Sequence, residues 1–250
     1  CMFFKDFISK YFISLMLLPT SVLAIDSAAV SGIAKTFLFN QPIPHAEITV
    51  LETGFTMRTN QDGRFGPFYF PIGRSLTLLF EKFGYSSVQS GTFIVKKSGL
   101  TGPYKEISFQ VPSWLTFYLY AHLIGATLDK DHCHVVSTIT AYHKTLNDLP
   151  QGEPHARAIL RPQNEQPFYF GIFKDGPFRY KTNPFTRQLI DTSQDGGIAF
   201  FNLPPQLKPY ILTATKAGKA FTKTQFICRP GSFINISPPQ GPAIKPDRSS

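Results

Sequence analysis

His132-Cys133-His134 is the densest group of metal-ligating side chains in the sequence, and His122, His143 and His155 lie in the same region. In an extended strand, residues two apart share a face, so His132 and His134 could both reach a zinc or copper ion while Cys133 points away. The same spacing suits two solvated edge histidines, and no third ligand is marked by a motif. A second group is aromatic and cationic. Between 161 and 187 the chain carries Phe168, Tyr169, Phe170, Phe173, Phe178, Tyr180 and Phe185, interleaved with Lys174, Arg179 and Lys181. Rings with cationic neighbours can stack on a sugar, a flat ring or an anionic group. Phe168, Tyr169, Phe178, Arg179, Tyr180 and Lys181 are therefore the candidate ligand-binding residues. The competing reading is that these rings pin a long loop to the sheet or to the other module. The sequence holds no nucleophile elbow, zincin helix motif or phosphate-cradling glycine loop. No catalytic residue or cofactor is assigned, and the chain is read as non-catalytic.

The elements that must position these groups are repeated. The first copy runs Pro44-His45-Ala46, then Thr59-x-x-Asp62-Gly63-x-Phe65, then a strand from Ser75 and Gly84-Tyr85. The second runs Pro154-His155-Ala156, then Thr192-x-x-Asp195-Gly196-x-Ile198, then a strand from Pro209 and Gly218. A repeat of this size means one supersecondary unit used twice. Asp-Gly is a turn signal, since glycine accepts φ > 0 and the aspartate side chain bonds the backbone beyond it. Asp62 and Asp195 are thus explained by their turns. Alternating runs such as Ala46 to Leu51 and Leu76 to Lys82 have the period of half-buried strands.

The order Val30-x-Gly32, Pro42-x-Pro44-x-Ala46-x-Ile48-x-Val50, Thr59-x-x-Asp62-Gly63-x-Phe65, Leu76-x-Leu78 and Gly84-Tyr85 resembles the carboxypeptidase regulatory-like domain, one of the transthyretin-like β-sandwiches. The resemblance spans residues 30–111 and is weaker over 133–236. It implies seven-strand Greek-key sandwiches and no peptidase activity, because in that family the domain stands beside a separate catalytic unit. The expected fold is all-β, with two tandem transthyretin-like or Ig-like sandwich modules. They would cover 25–112 and 133–237, joined by a segment at 113–132 and followed by a disordered, proline-rich tail at 238–250. From Trp114 to Ile124 the alternation suits a strand, yet Ser113 is a good helix N-cap and Gly125 a good stop, which favours a short bridging helix. Trp114 is expected to be a core residue between the modules. The second copy is longer than the first by an insertion at 161–187.

Residues 1–24 read as a signal peptide: Lys5 and Lys10, an apolar run from Tyr11 to Leu18, then Ser21-Val22-Leu23-Ala24 as the cleavage site. A membrane anchor is the other reading, but Pro19 cuts the run short of the ~20 residues a span requires. In an oxidising compartment Cys133 and Cys228 are expected to pair, with two buried free thiols as the alternative. The formal charge of +9 is spread along the chain without a basic run, which disfavours a nucleic-acid partner. The expectation is a secreted, periplasmic or cell-surface scaffold for binding, adhesion or structure, with a protein or carbohydrate partner and no membrane span. The alternative is a metal-binding protein or metal-dependent secreted enzyme using His132 and His134.

Overall fold

The computed structural model describes residues 25–162, 166–186 and 188–246. The expected signal peptide at 1–24 lies outside them, as does the end of the tail.

The repeated sequence signature closes into the same hydrogen-bonded clasp in both copies. In the first, the Thr59 hydroxyl donates to Ile43 O at 2.7 Å and accepts Ala46 N at 2.9 Å. The Thr59 backbone also exchanges bonds with His45 and Ala46. In the second, the Thr192 hydroxyl donates to Glu153 O and accepts Ala156 N at 2.9 Å, and its backbone bonds His155 and Ala156. Each histidine sits in the left-handed region, at φ 55° for His45 and 58° for His155. That bend holds the chain in position for the threonine. A lysine follows in each copy, with Nζ bonded to the proline carbonyl: Lys82 to Pro44 and Lys216 to Pro154. The turn glycines, at φ 71° and 73°, abut the preceding strand so closely that a Cβ would lie 2.5 Å from Ala34 O at Gly63 and 2.4 Å from Ile139 O at Gly196.

Around these clasps the strands form two similar layered sets. The first has β1 (Ser27–Thr36), β2 (Glu47–Val50), β3 (Thr56–Arg58), β4 (Arg64–Pro71), β5 (Ser75–Glu81), β6 (Val88–Ile94) and β7 (Ile107–Val111). The helix α1 (Trp114–Leu123) follows. The second set has β8 (Cys133–Thr138), β9 (Arg157–Arg161), β10 (Phe168–Tyr169), β11 (Gly171–Ile172), β12 (Thr182–Asn183), β13 (Gly197–Leu203), β14 (Tyr210–Thr215), β15 (Thr224–Phe226) and β16 (Phe233–Ile236). In the first set β1 lies between antiparallel β4 and parallel β7, opposite the ladder β6-β5-β2-β3. In the second, β8 lies between antiparallel β13 and parallel β16, opposite β15-β14-β9. The fold is all-β apart from the one helix, and each set encloses its own apolar core. Phe80, Phe109 and Leu78 are central to one core, and Tyr210, Phe226 and Leu212 to the other.

The two sets share a sheet. β16 pairs parallel with β6 at Ile234 and Gln89, which produces the eight-strand order β10-β13-β8-β16-β6-β5-β2-β3. Polar groups buried at this seam are satisfied across it, as burial requires. Gln89 bonds Ile227 O at 2.9 Å and Arg229 at 2.7 Å. Gln110 N donates to Ser237 Oγ, and Asn235 Nδ2 donates to Gln110 O.

Cys133 and Cys228 are joined in a disulfide with Cα atoms 5.6 Å apart. It links the start of β8 to the end of β15, and so ties together the two layers of the second set. Two expectations are corrected. The segment 238–246 is ordered: Thr140 N bonds Pro242 O, Ile244 N bonds Thr140 O and Thr222 N bonds Ala243 O. Pro238 and Pro239 sit in the turn closed by Gln240 N on Ser237 O, and Pro242 contributes only its carbonyl, to Thr140 N, so none of the three needs an amide. Trp114 is 56% exposed, since it begins the helix on the face turned away from both cores.

Replacing Thr59 or Thr192 by valine keeps the shape and leaves a buried amide and carbonyl unpaired, so each variant should lose about 1–3 kcal/mol in urea unfolding. Cys133→Ser with Cys228→Ser opens a loop of 95 residues. By the chain-entropy relation this should cost about 4–5 kcal/mol, measurable as a lower denaturation midpoint under non-reducing conditions.

Candidate functional site

Helix α1 forms where the sequence supplies its caps. Ser113 takes an extended φ/ψ and its hydroxyl accepts Thr116 N at 3.1 Å, while Gly125 turns the chain out at φ 73°. The helix is mostly apolar and has no distinct polar face, with Thr116 and His122 as its polar members besides the tyrosines. Trp114, Leu115, Tyr118 and Leu119 face outward. Phe117 packs on Phe233 at 4.4 Å between ring centroids, and Tyr120 meets Phe37 edge-on at 5.4 Å.

The insertion supplies the facing wall. Phe168 and Tyr169 extend the sheet by pairing with Ala199 and Ile198. The chain then folds into the hairpin β11–β12, whose tip is closed by bonds between Phe173 and both Lys181 O and Tyr180 N. Phe173 meets Phe178 and Phe185, and Phe178 reaches Phe39 of the first set at 6.3 Å. Together α1, the hairpin and the joined sheet line a partly open cavity of about 90 Å³. Its apolar lining includes Phe37, Phe117, Phe170, Phe201 and Phe233. Its polar lining includes Asn40, Gln110, Gln151, Thr182, Asp195 and Asn235.

Asp195 is the acidic residue of the lining. Oδ1 accepts the Thr182 hydroxyl at 2.9 Å, and Oδ2 accepts Gly197 N at 3.1 Å. Removal from water dominates and raises the carboxyl to about 7, against these two bonds, which act in the opposite direction. Gly197 permits the arrangement, because a Cβ there would lie 2.3 Å from Oδ2. Tyr120 is pushed up to about 12, first by burial and then by the charge of Asp195. Its hydroxyl donates to Thr182 O at 3.3 Å. Lys181 also lines the cavity, and burial lowers its amine.

The six residues marked in the insertion are dispersed. Tyr180 and Lys181 line the cavity. Arg179 lies over the Tyr180 ring at 4.5 Å and bonds its hydroxyl at 2.6 Å, while Phe178 packs against Phe39 at the surface. Tyr169 is buried in the second core and its hydroxyl accepts Ala158 N. Phe168 stands in the sheet against Phe170.

His132 and His134 are held apart from the cavity. His132 Nδ1 lies 2.7 Å from Asp129 Oδ2. His134 is buried, its Nδ1 accepts Asn202 N at 3.2 Å, and burial lowers its pKa. Among the described residues, no three His, Cys, Asp or Glu side chains are grouped to hold a metal ion. Nor is any helix there long and apolar enough to cross a membrane.

The sequence reading missed Asp195 and Gln151 as cavity residues. A signal was present in the second copy: Gly196-Gly197 replaces Gly63-Arg64. That extra glycine lets the turn carboxylate fold inward beneath the insertion, whereas Asp62 stays exposed.

No protein-family model matches this chain, and no curated protein matches it. Solved structures do. The Bacillus anthracis TIE protein is 16% identical with a TM-score of 0.27, covering 84% of this chain and 33% of its own. This chain thus spans about a third of that protein's length. The shaft pilin SpaA from Lactobacillus rhamnosus GG is 10% identical with a TM-score of 0.25, covering 88% of this chain and 98% of its own.

Because Asp195 binds its proton more tightly in the folded chain than at its ordinary 3.8, it favours folding below about pH 4. That contribution is lost as the pH rises to 7 and beyond. Asp195→Asn should therefore be more stable than the wild type at pH 8 by roughly 2–4 kcal/mol, with the gain shrinking toward pH 5. Urea midpoints at both pH values check this, and identical pH profiles for the two proteins would contradict it.

Proposed function

We propose that this chain is a non-catalytic, secreted or surface-associated β-sandwich protein that acts as a binding, adhesion or structural scaffold. Its ligand site is the cavity between α1 and the insertion. In this reading the two strand sets are tandem transthyretin-like modules of the carboxypeptidase regulatory-like type, one of them elaborated for recognition.

The observation that carries the reading is where the cavity lies. It forms where the second copy departs from the first, from a hairpin the first copy lacks and a helix that belongs to neither sandwich. A mostly apolar hollow with a few convergent polar groups and a perturbed carboxyl is the usual form of a small-ligand site. The disulfide supports an oxidising compartment. The remaining aromatics of the insertion serve to hold the hairpin rigid, as a preformed site requires.

Screening fragments of mixed charge against the chain from Ile25 onward by amide NMR tests the proposal. Perturbed shifts should converge on Tyr120, Phe170, Thr182 and Gly197. If no fragment of any class perturbs these residues, the cavity is packing space and the reading fails.

A further inference from the structure

Asp195 is a buried acid with no base set against it among the described residues. Each oxygen takes one hydrogen bond, from Thr182 and from Gly197, and the influences on its charge are burial and these two bonds. Gln151 lines the same cavity, is only 5% exposed, and its Oε1 has no hydrogen-bond partner among the described residues. Buried acceptors without a donor are rare, because each has given up hydration for nothing. Gln151 Oε1 thus lacks a donor, and Asp195, with one bond to each oxygen, lacks a cation; one ligand carrying both a positive charge and N–H groups meets both needs.

The surroundings narrow the choice. An anion would be desolvated against the Asp195 carboxylate, which is unfavourable. A purely apolar ligand would leave Gln151 Oε1 unsatisfied. Phe170, Tyr120 and Tyr180 supply ring surface, which attracts cations as well as alkyl groups. The cavity, at about 90 Å³, is smaller than the ~150 Å³ that accommodates benzene. Resting on the reading of this cavity as the ligand site, we propose that it binds a small organic cation. The ligand is a protonated amine whose N–H groups bond Asp195 and Gln151 Oε1 while a short alkyl part lies against the rings. Lys181, the cationic residue of the lining among the described residues, opposes such a ligand and so weakens its binding.

n-Butylammonium, 1-butanol and butyrate are similar in size and differ in charge. Titrated into the wild-type chain at pH 8 and followed at the Thr182 and Gly197 amides, n-butylammonium should bind at least tenfold more tightly than 1-butanol. Butyrate should be silent. Asp195→Asn should abolish the preference, whereas Lys181→Gln should tighten n-butylammonium binding severalfold, a pair of opposite effects that an unspecific apolar hollow would not give. At pH 5 the wild-type preference should disappear as Asp195 takes up its proton; the other titratable groups of the lining, Tyr120, Tyr180 and Lys181, are not carboxyls. This comparison needs no variant and remains decisive if Asp195→Asn fails to fold. Equal binding of 1-butanol, binding of butyrate, or silence of n-butylammonium overturns the proposed ligand class. The cavity itself stands as a site whenever any fragment maps there, and falls only when none does.

Discussion

A single hydroxyl at each clasp governs how these sandwiches are assembled. The Thr59 and Thr192 side chains each bridge a carbonyl on one side of a left-handed histidine to an amide on the other. A strand entering the second layer must turn sharply out of the first, and the turn exposes backbone groups that the core cannot hydrate. With the threonine in place, those groups are paired inside the fold and the Asp-Gly turn is seated against the opening strand. The lysines that follow β5 and β14 return to the same corner, bonding the carbonyls of Pro44 and Pro154.

The two copies meet through a seam that combines buried polar side chains with apolar contacts such as Phe233 against the first core. Gln89, Gln110, Asn235 and Ser237 bond one another's neighbours across it, so the relative placement of the sandwiches is fixed by directional bonds as well as by packing. The cavity depends on this placement. Its lining draws on Phe37 and Gln110 from the first set, Phe117 and Tyr120 from the helix, and Asp195 and Phe233 from the second. A different angle between the sandwiches would open or close it.

Much of this was legible in the sequence because it rests on local rules. The paired Thr-x-x-Asp-Gly and Pro-His-Ala signatures mark real corners, Ser113 and Gly125 do bound a helix, and Cys133 and Cys228 do pair. What was not legible depends on contacts between distant segments. Trp114 reads as a core residue from its size, yet its position at the start of α1 turns it to solvent. The residues after Pro238 read as disordered from composition, yet their carbonyls and amides find partners at Thr140, Ala220 and Thr222. Asp195 reads as a turn residue like Asp62. Only the hairpin folded over it removes its water, and the chemistry of the cavity follows from that burial.

The shared sheet also governs what the protein shows to its neighbours. Joined at β6 and β16, the eight strands expose no long inner edge and end in β3 and β10, which are three and two residues long. Ends so short offer an approaching chain few backbone groups to pair with. Within this sheet, joining β6 to β16 conceals the two margins that separate sandwiches would have left open, so the edges available to a neighbouring chain are those of the smaller sheets, β4, β7, β9 and β15.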